Sequence, residues 1–146
     1  MRELAFGFMI LAAMIYFNGC GSGIQTINID LSSDANANGG NAVVIKIYQL
    51  KTDNKFRYAQ YESLLKNAEE TLANDLIPPI KEETMTPSEK YPLKEFKLSK
   101  DAAFLGVVGD FHTPAKDSWK KIIPLDSDIE YLKIFIHENS LTIETE

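Results

Sequence analysis

The residue best placed for covalent chemistry is Cys20, the single cysteine of this 146-residue chain. One thiol excludes an intrachain disulfide and any multi-cysteine metal site, so its surroundings carry the information. Residues 4–17, Leu-Ala-Phe-Gly-Phe-Met-Ile-Leu-Ala-Ala-Met-Ile-Tyr-Phe, form an uncharged apolar run behind Arg2, and Asn18-Gly19-Cys20-Gly21 follows at once. The run falls short of the roughly 20 residues that span a bilayer and has the form of a signal-peptide core. Bacterial lipoprotein signals put a small residue directly before a cysteine that is acylated and becomes the first residue after cleavage. Gly19-Cys20 fits that chemistry. The sequence therefore predicts a signal peptide over 1–19, a lipidated Cys20 with a Gly/Ser tether over 20–25, and a single domain over 26–146. Phe17 where Leu is usual, polar Asn18, and Glu3 offsetting Arg2 depart from the pattern. The competing reading is an uncleaved anchor with a buried thiol, a common place for free cysteine. Against it, Gly19 and Gly21-Ser22-Gly23 flank Cys20 with a flexible stretch ill suited to a core. Gly21 rather than Asp after the cysteine points, by the usual bacterial sorting rule, to the outer membrane.

Other residue types capable of chemistry are not arranged for it. His112 and His137 lie at or beyond the ends of different predicted strands, with neither HExxH spacing nor a cysteine partner, so they read as strand-end histidines rather than metal ligands. No GxSxG nucleophile elbow occurs. Gly39-Gly40 is not followed by the Lys-Ser/Thr of a phosphate loop, and Gly106-Val-Val-Gly109 lacks the third glycine and following helix of a dinucleotide site. The paired acids Glu69-Glu70 and Glu82-Glu83 fall on a solvated helix face and at a turn-strand boundary, where charge usually marks exposure. A non-enzymatic protein with no cofactor and no small-molecule substrate is expected. The formal charge of −6, without a Lys/Arg cluster, also speaks against a nucleic-acid surface.

The elements that would position these residues follow from periodicity. Hydrophobic residues make up 45% of the chain, with eight Phe, six Tyr and Trp119, which is enough for a globular core. Residues 26–31 alternate Ile27, Ile29, Leu31 against Asn28 and Asp30, a half-buried strand. Residues 32–41 lack any large apolar side chain and read as an exposed loop. Residues 42–50 give a second strand, with Val43, Ile45 and Ile47 on one face and Val44, Lys46, Tyr48 and Leu50 on the other. After a polar turn over 51–55, Tyr61, Leu64, Leu65, Ala68, Leu72 and Leu76 recur at helical spacing, predicting one amphipathic helix stopped near Ile77 by Pro78-Pro79. Weaker strands over 81–86 and 93–98 flank the turn Pro87-Ser88-Glu89-Lys90. Residues 102–111 read as a buried strand whose Gly106 and Gly109 let Trp119 or another segment approach closely, and 119–125 as a further strand. Residues 131–137 and 141–145, around Asn139-Ser140, form a terminal hairpin. About seven short strands with frequent turns suggest an antiparallel sandwich, the helix covering one edge or end of a sheet.

The order of these pieces carries a resemblance. Val43-Val44-Ile45-Lys46-Ile47-Tyr48-Gln49-Leu50-Lys51, then Lys55-Phe56, Ser63-Leu64, Thr71-Leu72 and Asp75-Leu76, resemble the V-x-V-x-x-Y-Q-L-K strand and helical insertion of the TssJ family of type VI secretion lipoproteins. Phe104-Leu-Gly-Val-Val-Gly-Asp-Phe111 and Trp119-Lys-Lys-Ile-Ile-Pro-Leu125 resemble that family's later strands. Ser88 stands where the family often has Gly in a Pro-Gly turn, and the first loop lacks a Pro that many members carry. The resemblance implies a mainly β, transthyretin-like β-sandwich with one short helical insertion. It implies a role anchoring the secretion membrane complex at the outer membrane by binding the periplasmic domain of the inner-membrane component TssM. It also implies that the loop Asp34-Ala35-Asn36-Ala37-Asn38-Gly39-Gly40-Asn41 contacts that partner. Composition alone makes this loop a mobile hairpin connection, although it is longer than the 2 to 5 residues, roughly, that joining two strands requires. A lipid-anchored carrier holding a small ligand inside the sandwich is the alternative function, and it needs an apolar cavity with a few converging polar groups.

Overall fold

The computed structural model describes residues 25–125 and 128–146, so the predicted signal peptide, Cys20 and most of the tether lie outside the described residues. Among the described residues, eight strands form two four-stranded sheets. The first sheet has the order β4-β1-β7-β8, built from β1 (Thr26–Ser33), β4 (Lys90–Lys97), β7 (Tyr131–Ile136) and β8 (Leu141–Thr145). The second has the order β3-β2-β5-β6, built from β2 (Val43–Leu50), β3 (Leu76–Met85), β5 (Phe104–Asp110) and β6 (Lys120–Pro124). The molecule is the expected β-sandwich, closing on the predicted β7–β8 hairpin. One pairing is parallel, that of β1 with β7, in which Ile29, Leu31 and Ser33 stand opposite Leu132, Ile134 and Ile136.

The period-two alternation places the core. Ile27, Ile29 and Leu31 from β1, Leu132, Ile134 and Ile136 from β7, and Val43, Ile45 and Ile47 from β2 are all at most 2% exposed. Burying one such aliphatic side chain contributes about 1.5–3 kcal/mol, and two sheets packed over them define the interior.

The predicted single helix is instead three short ones. These are α1 (Asn54–Tyr58), which occupies part of the predicted polar turn, α2 (Tyr61–Lys66) and α3 (Ala68–Leu72), with a 3₁₀ turn over Ala73–Asp75. The axis breaks at Asn67 (φ −135°, ψ 42°) and ends at Ala73 (φ 45°). The apolar face survives these breaks, since Leu64, Ala68 and Leu72 are all buried. Burial on a common floor, rather than a continuous hydrogen-bond ladder, carried the periodic signal. The floor is the outer face of the second sheet, not an edge or end. Tyr48 Oη donates to Leu64 O (3.0 Å), and the Phe56 ring lies 5.5 Å from that of Tyr48, directly above Gly106, where a Cβ would come within 2.5 Å of it. The close approach expected at Gly106 therefore belongs to Phe56, and that at Gly109 to Phe111, rather than to Trp119.

Pro78-Pro79, expected to stop a helix, lie inside β3. β3 pairs only with β2, and the register slips between Ile47 and Gln49, opposite the prolines. An edge strand tolerates residues that cannot donate to a ladder.

Candidate functional site

β1 begins beside Lys97 at one end of the sandwich and ends at Ser33 at the other, about 23 Å away for its length. At that far end four connections meet: residues 34–42 between β1 and β2, 86–89 between β3 and β4, 111–119 between β5 and β6, and 137–140 between β7 and β8. The first is not the mobile hairpin that composition suggested. It crosses from one sheet to the other, contains a 3₁₀ turn over Ala37–Gly40, and buries Ala37 and Asn38 at 0% and 3% exposure. Ser32 and Ser33, expected in the loop, belong to β1.

Asn38 organises the segment. Its backbone is left-handed (φ 49°, ψ 38°), a conformation Asn tolerates better than most side-chain-bearing residues. Its Nδ2 donates to Ala42 O (2.7 Å) and its Oδ1 accepts the His112 N–H (2.8 Å), so one buried amide ties the loop to itself and to the β5–β6 connection. Its backbone N–H reaches His137 O at 3.4 Å. Asp34 adds a second tie: its Oδ2 lies 2.7 Å from His137 Nδ1, and His137 Nε2 lies 2.8 Å from Thr142 Oγ1. Beneath them, Ser33 Oγ donates to Thr86 O (2.5 Å) and accepts from Glu89 N (2.9 Å). Glu89 takes the Thr86 N–H and hydroxyl on one carboxylate oxygen, and these hydrogen bonds hold its pKa below the usual range. Tyr61 of α2 closes the rear by donating to Phe111 O (2.7 Å); burial first and then Asp110 push its phenol up to about 12.

Of the predicted loop, Asp34, Ala35, Asn36, Gly39, Gly40 and Asn41 remain exposed. Gly39 and Asn41 border a groove of about 380 Å³ whose other walls are His112 and Thr113 and the hairpin tip Glu138-Asn139. Sequence reasoning missed these wall residues because a partner such as His112, 74 positions from Asn38, leaves no local pattern. Among the described residues every buried side-chain N and O has a hydrogen-bond partner.

Residues 23–145 match the family described as T6SS-SciN: Type VI secretion lipoprotein, VasD, EvfM, TssJ, VC_A0113. No curated protein matches the chain significantly. Among solved structures, the T6SS lipoprotein TssJ1 from Pseudomonas aeruginosa shares the fold at 23% identity and a TM-score of 0.77, covering 84% of this chain and 97% of that one. A chain of a structure described as "Type VI membrane complex" is similar at 28% identity and a TM-score of 0.75, covering 83% and 98%. Another, from "T6SS protein TssM C-terminal domain (869-1107) from EAEC", is similar at 26% identity and a TM-score of 0.70, covering 83% and 98%. With nearly all of its sandwich domain matched, this chain belongs to the type VI secretion lipoprotein family that includes TssJ.

Proposed function

We propose that this chain is an outer-membrane lipoprotein that anchors the type VI secretion membrane complex by binding the periplasmic domain of a TssM-type inner-membrane protein. In this reading residues 1–19 are removed, Cys20 is acylated, residues 20–25 form the tether and 26–146 the binding domain. One acyl chain gives only marginal attachment, and the several chains of a mature bacterial lipoprotein give stable attachment.

The observation that carries the reading is the placement of loop 34–41 at the far end of β1 from Thr26, where the tether joins the sandwich. A lipid before Thr26 therefore turns this loop away from the membrane and toward a partner in the periplasm. Family membership supports the assignment, as does similarity to a chain of the structure described by its TssM C-terminal domain.

Two experiments test it. Cys20→Ser should abolish palmitate incorporation and release the folded domain from membranes; labelling equal to wild type defeats the lipidation. For the partner, Ala35→Trp and Asn36→Trp place bulk on exposed loop positions while leaving buried Ala37 and Asn38 intact. Calorimetry against the periplasmic domain of the partner should show binding at least about tenfold weaker, or about 1.4 kcal/mol, with an unchanged melting temperature. An unchanged dissociation constant moves the contact elsewhere.

A further inference from the structure

The groove at the far end of the sandwich has a hydrogen-bonding character that its residue types do not announce. Asn41 Nδ2 is turned inward, donating to Asn38 O (3.1 Å) and Gly39 O (3.4 Å). Two carbonyl partners fix the orientation of an amide, and they leave Asn41 Oδ1 as an acceptor. Asn38 offers nothing more, since both ends of its side chain are engaged. Across the groove stands Glu138, exposed and without an ion pair among the described residues, and it is the only Asp, Glu, Lys or Arg in the lining. The Asp34 carboxylate, paired with His137 beside Glu138, does not line the groove. Lys116, on the neighbouring connection, is exposed but does not line the groove.

A groove lined by an exposed carboxylate and by an amide whose oxygen is not engaged is complementary to a cation with several donors. Arginine suits it better than lysine, because the planar guanidinium presents five N–H groups and can bind a carboxylate with two while reaching a second acceptor. The opposite character appears beside β6, where a groove of similar size is lined by Arg57, Lys120 and Lys121 together with Asp117. A basic segment is thus drawn to one end of the molecule and not to that flank.

We infer that the partner's contact segment inserts a cationic side chain, an arginine in preference to a lysine, into the groove between loop 34–41 and the β7–β8 tip, where Glu138 and Asn41 receive it. This rests on the partner-binding reading above and adds the chemistry of the contact, which loop placement alone leaves open.

The test uses the full chain in detergent, titrated with the periplasmic domain of the partner. Glu138→Gln, nearly isosteric on an exposed turn, should weaken binding about tenfold, and Glu138→Lys about a hundredfold. Raising salt from about 0.05 M to about 0.5 M should weaken the wild type and change Glu138→Gln much less. Melting temperatures confirm that the variants are folded. An arginine-to-glutamate change in the partner that restores binding to Glu138→Lys identifies the inserted group. Dissociation constants for both Glu138 variants equal to wild type overturn the inference. If Ala35→Trp abolishes binding while the Glu138 variants do not, the loop reading stands and the cationic contact falls. If the Glu138 variants weaken binding and Ala35→Trp does not, the groove contact stands and the loop contact falls.

Discussion

Two segments leave the sheets and return, and they are held by different forces. The insertion from α1 to the 3₁₀ turn buries Phe56, Leu64, Ala68 and Leu72 on the outer face of the second sheet, with Tyr48 Oη pinning its middle. The 34–42 connection buries one small apolar residue, Ala37, and is fixed instead by the Asn38 amide and the Asp34–His137 contact. Apolar burial is roughly proportional to area, so each side chain removed weakens the insertion in proportion. A buried hydrogen-bond hub behaves otherwise, because removing one member leaves several partners desolvated and unpaired. The first arrangement suits a permanent cover, the second a short loop that must hold one shape while exposing its backbone and amides.

The largest effect should come from the apolar side of this contrast. Phe56→Ala removes the ring that rests on Gly106 and should cost about 3–5 kcal/mol in urea unfolding. Trp119→Ala, at 8% exposure and edge-on to Tyr61 (4.9 Å between ring centroids), belongs in the same range. Losses below about 1 kcal/mol would mean that neither ring is core. Next comes the hub. Asn38→Ala removes the hydrogen bonds to the His112 N–H and the Ala42 C=O together with a residue tolerant of left-handed φ, so a loss of about 1–3 kcal/mol is expected. Hydrogen exchange at the His112 amide should rise in the same variant, and unchanged exchange would break the comparison.

A smaller effect concerns the tyrosines that join the insertion to the sandwich. An unfolded tyrosine titrates near 10, whereas Tyr61 is pushed up to about 12 and burial takes Tyr48 higher still. The raised pKa means that the folded state keeps a proton the unfolded chain gives up above pH 10. Their stability contribution is therefore intact below pH 10 and is lost as pH rises through the folded values. Melting curves from pH 9 to pH 12 should fall less steeply for Tyr61→Phe than for wild type. The smallest effect has the opposite sign. Ser88 has φ 63°, the left-handed region that favours Gly. Ser88→Gly should raise stability by about 0.5–1 kcal/mol; a loss would show that the serine side chain contributes more than the strain removes.

How much was legible follows the same division. Strands with period-two alternation, the apolar face through Leu64, Ala68 and Leu72, and the terminal hairpin were visible because each is a local pattern. The breaks at Asn67 and Ala73 were hidden, since packing on the sheet beneath, not helix propensity, decides where those turns stop. Pro78-Pro79 misled because their inability to donate is as compatible with an edge strand as with a helix end. The first loop, expected over 32–41, begins two residues later because Ser32 and Ser33 pair within β1, and its order was not foreseen: Asn and Gly signal permissiveness, and only the fold reveals that Asn38 meets His112 and that Asp34 meets His137.

β1 has a mechanical consequence. It is flanked on both sides, by β4 and by β7, and its two ends carry the chain entering at Thr26 and the connection leaving after Ser33. For a chain held by lipid before Thr26 and gripped beyond Ser33, tension runs along the strand axis. The load then passes through the covalent backbone of β1, which is already extended, and the hydrogen-bond ladders to β4 and β7 hold the strand in place without having to carry it.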